Sequence, residues 1–368
     1  MLTVKNEQLK KQFDKYNIIP PSKKNEDWLY YDLETILNEE SKESNKTTNV
    51  EKLFEGNFLY FKNGELLKKQ LNENIQYQTL NNTEQNENDF IQLALNTCEK
   101  QLIEFKNTKE SLKIIYESTF GTASTNIECK LNHSEIEIER VFINSETNII
   151  NNFLSLSLEH QSTLTINEIN NENDGHILDF VNSTLENDCH LAGLNQSYLS
   201  NNSRFENKVY LNGENSTARL NGLSINKKDK QSFYNTHVFH NVGNNESHQL
   251  FKSINQEDAL FEYNGKVTVK KDAQQINSYQ LNQNILLDEY ATIHSRPQLF
   301  IDADDVKCSH GSTTGDLNKE ELFYLMSRGL DEITSKKMVL RAFVEEVFQE
   351  KNFRKHSKNI NEILNKII

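Results

Sequence analysis

The run Leu154-Ser155-Leu156-Ser157-Leu158-Glu159 places an apolar side chain at every second position. Successive side chains of an extended strand point to opposite faces. The spacing therefore puts three leucines on one face and polar groups on the other. The same period surrounds it. Ile136 and Ile138 alternate with Glu135, Glu137 and Glu139, and Leu164 and Ile166 with Thr163 and Thr165. Val267 and Val269 alternate with Lys266, Thr268 and Lys270, and Leu299 and Ile301 close the series. Asn, Gly, Asp and Ser separate these short strands. No convincing helix interrupts the pattern from about residue 112 to residue 301. A sandwich rarely uses so many strands. A stack does, because each rung buries its inward residues on the next. No strict repeat length is visible. The expectation is a mainly β chain with a strand-rich solenoid at its centre.

Composition narrows the partners. The chain has 368 residues and a formal net charge of -14. That excludes a sequence-independent grip on nucleic acid and an anionic membrane face, both of which need a basic surface. Hydrophobic residues make up 36%, low for a globular domain, while Pro numbers only 3 and Gly 12. Asn, Gln, Ser and Thr fill the gap. Two explanations stand side by side: stacked amides hydrogen-bonding along a solenoid, or a genome biased toward Asn and Lys codons. Cys98, Cys129, Cys189 and Cys308 are far apart with no CxxC pair. Such spacing suits reduced thiols in a reducing compartment. Met1 to Gln12 lacks the apolar core of a secretory signal, and no stretch of about 18 apolar residues exists. A cytoplasmic protein is expected.

The flanks read as helical. Residues 5–40 form helix broken at Ile18-Ile19-Pro20-Pro21-Ser22, where two prolines stop it. Glu26 to Leu33 follows, with Trp28 as a hydrophobic anchor for this arm. Glu39 to Glu51 is a loop. Asn57 to Gly64 is a strand ending in an Asn63-Gly64 turn, and Asp89 to Phe105 is a second helical stretch. After Gly315, Asn318 caps a helix with Glu321 at its third position. That helix carries Leu322, Phe323, Leu325 and Met326 and stops at Gly329. Ser335 to Glu350 follows, with Val339, Ala342, Phe343, Val347 and Phe348 on one stripe. Asn359 to Ile368 is the last. These helices make a thin core, so they pack on the end of the β region or expose a face to a partner. The division expected is a mixed region over 1–110, a β core over 111–312 and a helical region over 313–368.

The densest chemistry lies at the seam, in Asp302-Ala303-Asp304-Asp305-Val306-Lys307-Cys308-Ser309-His310-Gly311. Cys308 and His310, two apart, share a side in extended backbone. Both are good ligands for iron, zinc or copper. Lys307 and His310 would favour the Cys308 thiolate. Two ligands do not complete a tetrahedral site, so the segment offers half of one. Asp304 and Asp305 suit either a general acid–base pair or a turn, and the turn reading also covers Asp302. His237, His240 and His248 have no metal spacing and read as rung or turn residues, as does Cys189-His190. There is no P-loop, GxGxxG, HExxH or GxSxG motif.

Phe300 to Gly315, followed by Glu321 to Gly329, resembles the SufB/SufD family of the SUF iron–sulfur cluster assembly machinery, and its SufD branch in particular. Asp272 to Asn284, Ser295 to Leu299, Pro20-Pro21 and Glu26 to Tyr30 extend the likeness. The SufB branch carries a Glu-His-Glu type segment where this chain has Lys307 to Gly311, and a cysteine where this chain has Leu325. The resemblance implies a right-handed parallel β-helix flanked by helical regions. It implies a non-catalytic scaffold subunit that pairs with a SufB-like scaffold and binds a SufC-like ABC ATPase through its C-terminal helices. Phe323, Arg328, Phe343 and Val347 are the docking candidates there. It further implies that His310, with Cys308 beside it, meets a nascent iron–sulfur cluster at the SufB-like interface, His310 being the metal ligand. No cofactor is expected to stay on the isolated chain, which can form a homodimer. The competing reading is a cytosolic β-helix carbohydrate-active enzyme using Asp304 or Asp305.

Overall fold

A computed structural model describes residues 4–44, 49–81 and 89–368. From Lys100–Lys106 onward, strands alternate along the chain between a sheet of ten strands and a sheet of nine. Thr163–Asn171 belongs to the first, His176–Leu185 to the second and His190–Tyr198 to the first again. The chain thus winds, two strands to a turn, into a parallel β-solenoid of about 8 turns. The period-two residues do what their spacing demands. Ile136, Ile138, Leu154, Leu156, Leu158, Leu164, Val267 and Val269 fill the lumen.

The missing repeat has a cause. His190 pairs with Thr217, 27 residues on. The step from Lys109 to Glu135 is 26 and that from Ser247 to Ser278 is 31. The ladder tolerates this drift because corners absorb it. At one corner Gln161, Asp188, Asn215, Asn244 and Gln275 are all left-handed. Three of the five are Asn or Asp, which visit that region at the lowest cost after Gly. Each donates its N–H to a carbonyl on the next turn: Asn187, Glu214, Asn244, Gln274 and Asp305 respectively, at 2.6–3.3 Å. Side chains add a second ladder. The Cys189 N–H donates to Ser216 Oγ (3.0 Å), and the Ser216 N–H to Asn245 Oδ1 (2.8 Å). Much of the Asn and Ser content is therefore structural. His237 and His240 are rung residues bonded to Thr268 and Ser247, with burial pushing each imidazole down to about 4.

The lumen also holds charge. Arg140 is fully buried and donates to both Asp179 oxygens, at 2.5 and 2.8 Å, and to Glu168. Burial raises the Glu168 carboxyl to about 7, against the opposing pull of Arg140.

Helices cover the outer face of each sheet. α1 (Glu7–Tyr16), α2 (Leu33–Asn38) and α3 (Asp89–Thr97) pack with Trp28 onto Phe153, Leu178 and Phe233 of the nine-stranded sheet. Trp28 is buried with the Arg204 guanidinium 4.1 Å from its ring, so it is the expected anchor. The second helical stretch is shorter than expected. α3 ends at Thr97, and Lys100–Lys106 is a strand, because Ile103 and Phe105 fill the lumen at every second position. α4 (Lys319–Ser327) has the expected Asn318 cap, whose Oδ1 accepts from the Glu320 and Glu321 N–H groups. Gly329 follows at φ 93°. α5 (Glu332–Glu345) starts three residues early, capped by Asp331. α6 (Ile360–Leu364) is only five residues, though Ile360, Ile363, Leu364 and Ile367 are all buried. This region lies along the side of the solenoid rather than on its end, on Leu194, Leu223, Ile225 and Ile254. Part of the Glu39–Glu51 loop, 45–48, lies outside the described residues. No described helix is long and apolar enough to cross a membrane.

The two ends differ. Phe58–Lys62 pairs antiparallel with Glu65–Gln70, and Ile75–Leu80 pairs antiparallel with Lys100–Lys106. Asn63 and Gly64, at φ 50° and 87°, make the turn of the first hairpin. At the other end Thr292–Ile301 and Val306–Gly315 are the last strands of the two sheets, each paired on one side only among the described residues.

Candidate functional site

The open end carries the Cys308 and His310 pair. Val306 and Cys308 pack against the lumen cluster, which fixes the parity of their strand. His310 therefore also turns toward the lumen, at its exposed mouth. Lys307 falls on the other face. Across the mouth the Ser295 and Ser312 hydroxyls lie 2.8 Å apart. Exposed Tyr279, Phe300 and Ile301 add apolar surface to the last turns.

The thiol is not the one expected. Its half-burial raises the Cys308 pKa, only partly offset by a backbone hydrogen bond from Ser278. Lys307 does not activate it, because a period of two puts neighbours on opposite faces. Among the described residues no group of three or more His, Cys, Asp and Glu side chains could hold a metal. Cys308 and His310 are a pair without further ligands of those types in the described chain.

The aspartates are turn residues. Asp302, Asp304 and Asp305 are exposed between the last two strands. The Asp305 carbonyl accepts from the Gln275 N–H, and its own N–H donates to Gln274 Oε1 at 2.8 Å. Asp305 thus receives the last bond of the corner column. The acid–base alternative has no support in this arrangement.

The N-terminal arm reaches the same end. Arg296 of the last nine-stranded-sheet strand bonds Glu262 at 2.7 Å and Glu26 at 3.0 Å, and Tyr30 stacks on His294 at 3.9 Å.

The family is decided by a comparison. Residues 117–343 match the model for "SUF system FeS cluster assembly, SufBD core domain", well over half of the chain. The chain belongs to the SufBD family. It is 35% identical over 217 residues to the iron–sulfur cluster assembly protein SufD of Escherichia coli K12, covering 55% of this chain and 51% of that protein. It is 42% identical over 104 residues to a SufBD family protein of Synechocystis, covering 28% and 23%. It is 28% identical over 213 residues to SufD of Plasmodium falciparum, covering 55% and 14%. The chain spans about half or less of the length of these relatives. The SufBD match covers most of the solenoid and ends within α5, so Cys308 and His310 lie inside it.

The four expected docking residues separate into two pairs. Phe323 is 74% exposed, and Arg328 is exposed beside the Tyr324 ring. Phe343 is half-buried against Lys252, whose Nζ donates to its carbonyl at 3.0 Å. Val347 is 0% exposed, packed on the ten-stranded sheet. Val347 therefore offers a partner no surface: with Val344 and Phe348 it packs on the solenoid, while Ala342 of the same stripe is exposed. Tyr324, Met326, Ile333 and Met338 join Phe323 as exposed large apolar residues of the region. Grooves of about 600 and 530 Å³ meet at Met338 and Ala342.

Sequence reasoning missed the Arg140, Glu168 and Asp179 cluster. The signal was there, since Ile136, Ile138 and Arg140 share one parity.

Proposed function

We propose that this chain is a non-catalytic scaffold subunit for iron–sulfur cluster assembly, working in the cytoplasm with a SufB-like scaffold and a SufC-like ABC ATPase. The carrying observation is the open end: two bare strand edges beside an unfinished pair of metal ligands. Edge N–H and C=O groups are a template for a strand from another chain. A partner that pairs there brings its own ligands up to His310, which takes the iron of the nascent cluster, with the half-buried Cys308 beside it. The cluster is the cargo, built transiently and passed on. Free thiols spaced as here suit a reducing compartment.

The exposed stripe of α4 and α5 is the ATPase-docking face, with Phe323 and Arg328 at its centre. A stripe of this kind, rimmed by charge, suits a protein partner. In the isolated chain a second copy takes the open edge, giving a homodimer.

The test replaces His310 by Ala in the complex reconstituted with both partners. Complex assembly is expected intact and cluster yield lost. Normal yield sinks the reading. Phe323→Ser with Arg328→Glu is expected to release the ATPase and leave scaffold pairing intact. Deleting everything after Gly315 is a poorer test, because it bares Leu194, Leu223, Ile225 and Ile254.

A further inference from the structure

We propose that Gln280 is a positioning residue for His310, holding its imidazole in one tautomer from inside the solenoid. The inference rests on the role assigned to His310 above and adds the group that orients it.

Gln280 lies on Ile276–Leu286, the last strand but one of its sheet, and is the register partner of His310. Strand parity places it inside. Ile276 joins the lumen cluster, the Ser278 and Ser247 hydroxyls lie 2.8 Å apart, and Asn282 Nδ2 donates to the Phe251 carbonyl at 3.0 Å. Gln280 is 0% exposed, yet neither its Nε2 nor its Oε1 has a hydrogen-bond partner among the described residues. A buried carboxamide unpaired at both ends is costly, so such groups call for an explanation.

A column supplies it. Gln249 is the register partner of Gln280 on the preceding turn. Its Oε1 accepts from Tyr263 Oη at 3.2 Å and from Thr236 Oγ1, and its Nε2 is unpaired. With its oxygen engaged, Gln249 presents a donor to the next rung. Gln280 Oε1, itself unpaired in the structure, can accept from it after a side-chain rotation, and an amide oxygen has two lone pairs. The second faces the next rung, where His310 stands about 4.8 Å away along the ladder. His310 is exposed, so its ring can turn to donate one N–H to that oxygen. A ring fixed in this way presents its other nitrogen as a bare lone pair, the form that binds a metal. Gln249 holds Gln280, and Gln280 orients His310.

The test reads the tautomer without iron. In the full chain with isotope-labelled histidine, nitrogen–proton correlation spectra in mildly alkaline buffer report which ring nitrogen of each imidazole carries the proton. The His310 signals are those lost in His310→Ala. One dominant tautomer is expected for His310 in the wild type, and a mixture in Gln280→Leu. Gln280→Met replaces the leucine variant if that one fails to fold. An unchanged His310 tautomer in the folded variant overturns the proposal. That failure would leave the assembly role of His310 standing. Normal cluster yield from His310→Ala would remove that role without altering the tautomer result.

Discussion

At its N-terminal end the solenoid turns back on itself. At its C-terminal end it simply stops. The first end finishes in antiparallel strands, and the outermost strand of the ten-stranded sheet, Glu65–Gln70, carries Lys68 and Lys69, charges that discourage another chain from pairing there. The last end has Thr292–Ile301 and Val306–Gly315, with exposed Phe300 and Ile301, and with His294, Arg296, Lys307, His310 and the Cys308 thiol as their ionisable groups. One fold therefore handles the same exposed edge in two ways. Where the edge is a liability it is folded over and charged. Where it is left bare, the two candidate ligands lie beside it.

Four substitutions probe this contrast. Phe105→Ala, in the lumen near the closed end, should cost about 3–5 kcal/mol, read by urea unfolding. A small loss there would mean the closed end is not part of the cooperative core.

Glu168→Gln separates the lumen from both ends. In the wild type the carboxyl holds its proton to about pH 7 when folded, against 4.5 for its ordinary value. Between those values the folded state binds more protons, so stability falls as pH rises. Wild type should lose on the order of 1–3 kcal/mol relative to Glu168→Gln between pH 5 and 8. Parallel pH profiles for the two proteins would contradict the raised carboxyl.

Gly64→Ala tests the turn that closes the first end. Its Cβ would meet the Ser124 carbonyl oxygen at 2.8 Å, and its φ of 87° is left-handed. A loss of at least about 1 kcal/mol is expected, read as a lower thermal midpoint. Phe300→Ser acts at the open end, where the ring is 51% exposed. Monomer stability should move by less than about 0.5 kcal/mol. Association through this edge, followed by sedimentation, should weaken about tenfold, or about 1.4 kcal/mol. Equal effects on folding and association would erase the distinction between the ends.

What the sequence disclosed follows from periodicity. Alternation at Leu154–Leu158 located the lumen face, and Asn63-Gly64, Asn318 and Gly329 marked a turn and both ends of α4. What it hid is what other parts of the chain decide. Asp89–Phe105 reads as one helix until the lumen claims Ile103 and Phe105. Val347 sits on an apolar stripe, but a stripe does not say which body covers it. Lys307 neighbours Cys308 in sequence and faces away from it in space. Gln280 looks like one amide among many until register sets it between Gln249 and His310.

The C-terminal helical region touches the solenoid at widely spaced turns. Lys355 reaches Glu137, Asn352 reaches Thr165, the Val347 carbonyl takes a bond from Asn221, and Glu346 holds Lys252. A stacked ladder is indifferent to its own length: a whole turn, about 4.8 Å, could be spliced in or out with every corner still matched. The clasp is not indifferent. Its anchor points are set at a fixed gauge, so a duplicated or lost turn would be registered as a misfit along the flank. The helices thus serve as a ruler, and the distance between the closed end and the open mouth can drift only if the ruler is recut with it.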